Sequence, residues 1–386
     1  MTRSQGARHR QTRRWPILVA ALGALIAVAG CSAAGPTASA VAPSVVASVA
    51  PTVSLPTTAP SAAIPSAAST KPDGASVVKP NEAWIVYQTG DHDQDEVMLA
   101  RPDGSGVHPL IPIAGPSRAH PDWSPDGSKI LYQQFESVTA TDAYIYVANA
   151  DGSDAHSVFT CSSPGCNAWN FASWSPDGSS IVFQNLTTDA AQTAITGSLL
   201  QAVDVATGKV RTLLTSSDLQ ITYRRPRFSP DGKSLAFEVV KWNNPAGSKT
   251  RPLDASIVGS AIGVLDLTHP GAKPRLITDF KTNAYYPSWH PSGDLIIFNT
   301  GDPWGSVPVK ALDLYTVKPD GSGQTQLTRT DALGGGAAKA TWSTDGKRVL
   351  FEFQSGPPGV ASVAADGSDF HLHIKVGEYP RLRPTS

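Results

Sequence analysis

From residue 84 onward, short apolar runs alternate with clusters of Gly, Pro, Asp and Ser. The runs are too short and too rich in β-branched residues for helices, and they predict strands joined by turns. Five clusters share one form: Trp123-Ser124-Pro125-Asp126-Gly127, Trp174-Ser175-Pro176-Asp177-Gly178, Phe228-Ser229-Pro230-Asp231-Gly232, Trp289-His290-Pro291-Ser292-Gly293 and Trp342-Ser343-Thr344-Asp345-Gly346. Their lead aromatics are 51, 54, 61 and 53 residues apart. Each is followed by an apolar run: Ile130-Leu131-Tyr132, Ile181-Val182-Phe183, Leu235-Ala236-Phe237, Ile296-Ile297-Phe298 and Val349-Leu350-Phe351. Proline presets φ at the second turn position, Asp bonds nearby backbone, and Gly takes the positive φ that closes a hairpin. Each cluster therefore predicts strand, tight turn, strand.

A second turn recurs in each unit: Asp103-Gly104, Asp151-Gly152, Thr207-Gly208, Pro270-Gly271, Asp320-Gly321 and Asp366-Gly367. Strands such as 144–148 and 314–317 precede it, and others follow, ending near Leu110, Thr160, Leu214, Thr278, Thr328 and Val376. Four strands per unit of about 50 residues predict a propeller blade. The first unit starts at Trp84-Ile85-Val86-Tyr87 and lacks its opening strand. The chain end supplies one, because Tyr379-Pro380-Arg381-Leu382-Arg383-Pro384 aligns with Arg225-Pro226-Arg227-Phe228-Ser229-Pro230. The expected fold is an all-β, six-bladed β-propeller over residues 79–386, closed by the C-terminal strand. An open array would leave exposed edges.

The Trp-Ser-Pro-Asp-Gly repeats resemble the WD40-like (PD40) repeats in the C-terminal propeller domain of TolB and its relatives, over about residues 80–386. The resemblance implies the fold more than a role, since one fold hosts many functions. Ahead of the repeats there is no counterpart of TolB's N-terminal α/β domain.

Residues 1–30 read as a lipoprotein signal peptide. Arg3, Arg8, Arg10, Arg13 and Arg14 precede an apolar run of 14 residues, 17–30, which is short for a membrane span of roughly 20. The run ends in Val28-Ala29-Gly30-Cys31, which resembles a bacterial lipobox and implies a diacylglyceryl, palmitate-bearing Cys31 on the mature chain. Residues 31–78 form a disordered Ala/Pro/Ser/Thr-rich tether; positions 32–70 hold no charged residue, and such a segment cannot bury enough to offset its ordering entropy. The predicted location is therefore extracytoplasmic, anchored to the cell membrane through lipid.

Charge narrows the partners. The whole chain carries −1, but the signal peptide holds five of the 31 basic residues and no acid. The remaining 26 against 32 acidic residues give −6, which argues against nucleic acid. Cys161 and Cys166 flank Ser-Ser-Pro-Gly and are expected to form a disulfide in an exported protein. Asp91, Asp93 and Asp95 have the alternate spacing of a calcium loop, but Glu96 stands where such a loop needs Gly, so a solvated hairpin tip is the stronger reading. No nucleophile elbow, His-Glu-x-x-His or P-loop occurs, and no cofactor is implied.

The long connections, 134–143, 185–198, 240–261 and 300–312 within units and 161–171, 216–224, 279–286 and 329–339 between them, should gather on the face opposite the short turns. The position three before each lead aromatic holds His120, Phe171, Arg225, Tyr286, Lys339 and Tyr379, with Arg227 and Arg381 two residues further on. These should meet at the channel mouth and suit an anionic group such as a peptide carboxylate. The competing reading is that they pack between blades and pair with local acids. The expected role is a binding scaffold for an envelope protein, peptide or polymer. The alternative is a channel-mouth enzyme, a metal-assisted hydrolase or lyase.

Overall fold

The computed structural model describes residues 78–385, except residue 80 and segments 91–93, 113–114, 136–142, 161–165, 168–170 and 302–311. The signal peptide and nearly all of the tether lie outside the described residues, so the readings placed on them are not examined by the fold. Among the described residues no helix is long and apolar enough to cross a membrane.

Six antiparallel sheets follow one another along the chain as the blades of a propeller. The second runs Ser117–Trp123, Lys129–Phe135, Ala143–Asn149, His156–Thr160 from the inside out. The fourth, fifth and sixth begin with Ile221–Phe228, Ala284–Trp289 and Gly336–Trp342 and repeat the same order. In the third, the inner position is taken by two short pieces, Cys166–Asn167 and Ser173–Trp174, both paired with Ser180–Thr188. The first sheet joins the two ends of the repeat region: Glu378–Leu382 pairs with Ile85–Thr89, Leu382 facing Ile85 and Arg381 facing Val86.

The turn chemistry is as the sequence predicts. All eleven predicted turn glycines have φ between 65° and 90°. In the second blade Ser124 Oγ donates to Asp126 Oδ1 at 2.6 Å, Asp126 accepts from the Ser128 amide, and Ser124 Oγ accepts from the Lys129 amide at 2.9 Å. The turns at Ser229 and Ser343 repeat the serine–aspartate contact at 2.6 Å. A local hydrogen-bond circuit thus fixes each hairpin before any tertiary contact is needed.

Because strand side chains alternate between faces, each middle strand sends its apolar residues into two different interfaces. Ile130 and Tyr132 pack with Trp84, Val86 and Trp123 between the first and second blades, whereas Leu131 packs with Trp174, Ile181 and Phe183 between the second and third. The pattern continues around the ring to Leu350 and Val360 of the sixth blade, which pack against Ile85, Tyr87 and Ala100 of the first. Lead tryptophans also tie blades together. The Trp123 indole donates to Arg381 O and that of Trp289 to Arg227 O, each on the preceding blade's inner strand.

One expectation changes. Segments 185–198 and 240–261 are not loops for most of their length. Ser180–Thr188 with Ala194–Asp204, and Ser234–Trp242 with Ile257–Asp266, are extended hairpins. They are held by a cross-blade pairing of Ala194 with Pro252 and Ile195 with Arg251, and by a small core of Leu186, Ile195 and Leu219. Between blades, 279–286 contains a 3₁₀ turn at Phe280–Thr282 and 329–339 a helical turn at Thr330–Leu333.

Candidate functional site: two tiers of the central channel

Five inner strands carry the same irregularity. The pairing register slips between Ala119 and Asp122, Arg224 and Arg227, Tyr285 and Ser288, and Ala338 and Thr341, and it slips likewise where Glu378–Leu382 meets Ile85–Thr89. Each slip is a β-bulge, which re-aims side chains and ends pairing locally. At each bulge the predicted ring residue has positive φ: His120 52°, Arg225 52°, Tyr286 56°, Lys339 55° and Tyr379 52°. Non-glycine residues seldom adopt this conformation, and it persists only where the surroundings enforce it. Pro121, Pro226, Pro287 and Pro380 follow four of these residues, and proline inside a strand belongs at a bulge. The bulge turns the ring side chains inward.

The six predicted positions do converge. His120, Phe171, Arg225, Tyr286 and Tyr379 line one central cavity, with Arg227 and Arg381. His120 lies 4.3 Å from the Phe171 ring and 4.7 Å from the Tyr379 ring, centroid to centroid. The Arg225 guanidinium sits between Phe171 and Tyr286, at 4.1 and 3.9 Å. Lys339 Nζ stands 3.9 Å over Tyr379, and the hydroxyls of Tyr286 and Tyr379 meet at 3.2 Å. The space left is about 10 Å³, on the scale of one water molecule. This upper tier is a plug and not an open mouth.

Its cations are already neutralised. Arg225 is ion-paired with Glu238, and Lys339 lies 2.7 Å from Glu352 and 3.0 Å from Glu378. Burial opposes the charge on Arg225 and Lys339, yet the neighbouring carboxylates more than offset it, so both pKa values rise above their ordinary range. Burial pushes the Glu352 carboxyl up, against the pull of Lys339. The expectation that Arg225 and Lys339 hold charge available for a ligand is thus corrected: each spends it on acids within the ring.

Two of those acids, Glu238 and Glu352, belong to a set the sequence reading passed over. The residue after each apolar trio is Gln88, Gln133, Gln184, Glu238, Asn299 or Glu352, and all six are buried. Gln88 accepts from the His120 amide, Glu238 from the Tyr286 amide and Asn299 from the Lys339 amide, so three members of the set also tie their blade to the next. Within a blade, a cation at the ring position faces a carboxylate and a neutral residue faces an amide, as His120 faces Gln133. The signal was in the sequence: one polar residue repeatedly closing an otherwise apolar strand.

One rung further along lies a second tier. Arg381, Asp122, Ser173, Arg227, Ser288 and Thr341 occupy equivalent positions, facing Val86, Leu131, Val182, Ala236, Ile297 and Leu350 of their own blades. Arg227 Nη1 donates to Ala172 O at 3.0 Å and lies 3.7 Å from Asp122; Arg381 Nε lies 3.6 Å from the same carboxylate. Burial, then the Arg381 charge, lower the Arg227 pKa to about 10, so Arg227 carries charge at neutral pH; burial lowers Arg381 as well.

Of the other candidates, Cys31, Asp91, Asp93 and Cys161 lie outside the described residues. Cys166 starts the short strand Cys166–Asn167. Asp95 is buried, and the Gln88 amide donates to its carboxylate at 3.4 Å. Among the described residues no group of three or more His, Cys, Asp or Glu is placed to hold a metal ion.

The six sheets define a six-bladed β-propeller. Its fold is that of the TolB propellers. TolB from Acinetobacter baumannii superposes with a TM-score of 0.56 at 19% identity, over 78% of this chain and 67% of that one. A putative TolB from Agrobacterium tumefaciens gives 0.52 at 16% identity, over 76% and 89%. A chain of a nidogen/laminin complex gives 0.55 at 9% identity, over 78% and 98%. No family model matches the sequence, and no curated protein matches it.

Proposed function

We propose that the protein is a lipid-anchored, extracytoplasmic propeller that serves as a binding module for a protein, peptide or polymer of the cell envelope. In this reading Cys31 carries the lipid, residues 32–78 are the spacer, and the pairing of Glu378–Leu382 with Ile85–Thr89 seals the ring. The observation that carries it is the plug. A channel filled by its own ion pairs and aromatic rings, with room for about one water, leaves recognition to the two faces. The hairpins extended from the third and fourth blades add surface to one of them. The nidogen/laminin complex is an instance of this fold within a protein assembly.

The test is photo-crosslinking in intact cells from a probe at exposed Gln192, alongside membrane fractionation of Cys31→Ala. A reproducible crosslinked partner and release of the variant into the soluble fraction are expected. No partner crosslinked from Gln192, with the variant still membrane-bound, would overturn the reading.

A further inference from the structure

At several junctions the second turn of one blade seats on the outermost strand region of the blade before it. Gly104, Gly152 and Gly367 leave no room for a Cβ against His373 O, Leu110 O and Leu327 O, and a Cβ on Gly321 would stand 3.3 Å from Ile277 O. Leu110, Leu327 and Ile277 are aliphatic seats. His373 differs. It lies on the outer strand His371–Ile374 of the sixth blade, and its ring joins that blade to the first through a chain of hydrogen bonds. Its Nδ1 lies 2.5 Å from Pro102 O in the first blade, and its Nε2 lies 2.8 Å from Ser362 Oγ in the sixth. A carbonyl oxygen only accepts, so Nδ1 carries the proton and Nε2 of the neutral ring is an acceptor. Ser362 therefore donates its hydroxyl proton to Nε2. Its oxygen then accepts from Arg348, whose Nε and Nη2 lie 3.2 and 3.0 Å away. Ser362 is buried, and among the described residues its hydroxyl has no other acceptor.

A second proton on the ring breaks this order. Nε2–H would point at an oxygen that already takes two N–H groups, and the displaced hydroxyl proton would have nowhere to go. The surrounding charges oppose it too. Arg348 sits on the far side of Ser362, and the His371 ring is 6.4 Å away. Asp369, the acid that would favour a cation, accepts from Arg348 Nη1 at 2.6 Å and lies 2.8 Å from His371 Nε2. On the first blade Asp103 accepts from the Ser105 amide and Arg101 is paired with Glu82. Lys375, further along the outer strand, is exposed. Burial, and with it the charges of Arg348 and His371, hold the His373 pKa below its ordinary range, although the bond to Pro102 O favours the protonated ring.

We propose that the Arg348–Ser362–His373–Pro102 circuit is a pH-sensitive latch on the seam between the sixth and first blades, shut while His373 is neutral and released when it is protonated. A folded value below the unfolded one means that this stabilisation is present above about pH 6.5 and is lost as pH falls through the folded value. The inner pairing of Glu378–Leu382 with Ile85–Thr89 contains no histidine. Release therefore loosens the 102–104 turn and the outer strand of the sixth blade while the inner part of the seam holds.

The test is ¹⁵N-histidine NMR on the full chain in detergent micelles across neutral to mildly acidic pH, beside hydrogen exchange of peptides spanning 100–107 and 370–377, corrected for the intrinsic effect of pH. His373 should be the Nδ1–H tautomer and titrate below about 6.5. As it does, exchange in both peptides should quicken on the order of tenfold. His373→Gln keeps an N–H for Pro102 O and a carbonyl for Ser362 but takes up no proton, so its exchange should stay slow across the same range. His371→Gln should retain the response. Arg348→Gln removes a nearby positive charge, so the His373 pKa should rise and the release should move up in pH with it. An Nε2–H tautomer, a His373 pKa at or above about 6.5, acid-quickened exchange in His373→Gln, or loss of the response in His371→Gln would overturn the latch. If His373→Gln fails to fold, Arg348→Gln decides: a merely structural contact predicts no release that tracks the His373 pKa.

Discussion

The sharpest quantitative consequence concerns the upper-tier pair Arg225 and Glu238. Both are buried, at 3% and 0% exposure. Glu238 also lies 3.4 Å from Arg224 and accepts from the Tyr286 amide at 2.8 Å. Replacing Arg225 with Met removes the main counter-ion of a fully buried carboxylate and two ring contacts. Breaking a buried pair in this way costs about 3–5 kcal/mol. Glu238→Gln keeps an acceptor for the Tyr286 amide but strands the Arg225 charge, at a similar cost. The double variant recreates the neutral pairing already present in the blades of Gln88, Gln133, Gln184 and Asn299. It should cost only about 1–2 kcal/mol, chiefly the lost stacking on Phe171 and Tyr286. The expected coupling in the double-mutant cycle is thus at least about 3 kcal/mol. Urea unfolding followed by tryptophan fluorescence reads all four proteins. Additive losses, or single variants within about 1 kcal/mol of wild type, would refute the claim that these charges neutralise each other inside the channel.

Three further outcomes follow. Deleting residues 378–386 removes a strand paired to Ile85–Thr89, the Trp123–Arg381 contact and the Arg383 donation to Gly127 O at 2.8 Å; the thermal midpoint should fall by more than 10 °C on the usual scaling, and an unchanged midpoint would show that ring stability comes from elsewhere. The turn carboxylates Asp126, Asp177, Asp231 and Asp345 have pKa values lowered by serine hydroxyls, and Asp266 is lowered to about 2, first by Thr268. Folded values below unfolded ones mean that this stabilisation is present above about pH 4 and is lost as pH falls towards 2, so the midpoint should drop across that window and drop less in an Asp126→Asn, Asp231→Asn, Asp345→Asn variant. Thiol titration of the denatured, unreduced mature chain should find no free thiol if Cys161 and Cys166 are bonded and Cys31 is acylated; two reactive thiols would exclude the bridge.

What the sequence disclosed was set by range. The Ser-x-Asp-Gly turns are closed circuits within five residues, so Ser124, Asp126 and Gly127 announce their hairpin without help from the rest of the chain. The ring positions were legible by alignment of the repeats, because Trp123 and its equivalents mark the same rung in each blade. The bulge was not read, although proline after His120, Arg225, Tyr286 and Tyr379 signalled it, because the left-handed conformation is imposed by neighbouring blades. Glu238 and Glu352 were overlooked for a related reason: a single polar residue ending an apolar strand looks like a surface position until the channel closes over it. The extension of Ser180–Thr188 depends on a pairing with Arg251 and Pro252 of the next blade, which no local pattern in Asn185-Leu186-Thr187-Thr188 encodes.

Six copies of one unit in one chain also allow an argument that a non-repetitive fold does not. At the upper tier, two blades of six carry a cation, and those same two carry Glu on the middle strand, while the other four carry an amide. Charge there is balanced blade by blade, as expected where stability alone is served and an unpaired buried ion costs several kcal/mol. The lower tier could have been balanced as easily, by acids in place of Ser288 or Thr341, or by apolar residues in place of Arg227 and Arg381. Instead two guanidiniums are drawn to one rung, close enough that the positive charge of one helps lower the pKa of the other to about 10, with one carboxylate between them. That arrangement gives up stability which the adjacent rung shows how to keep.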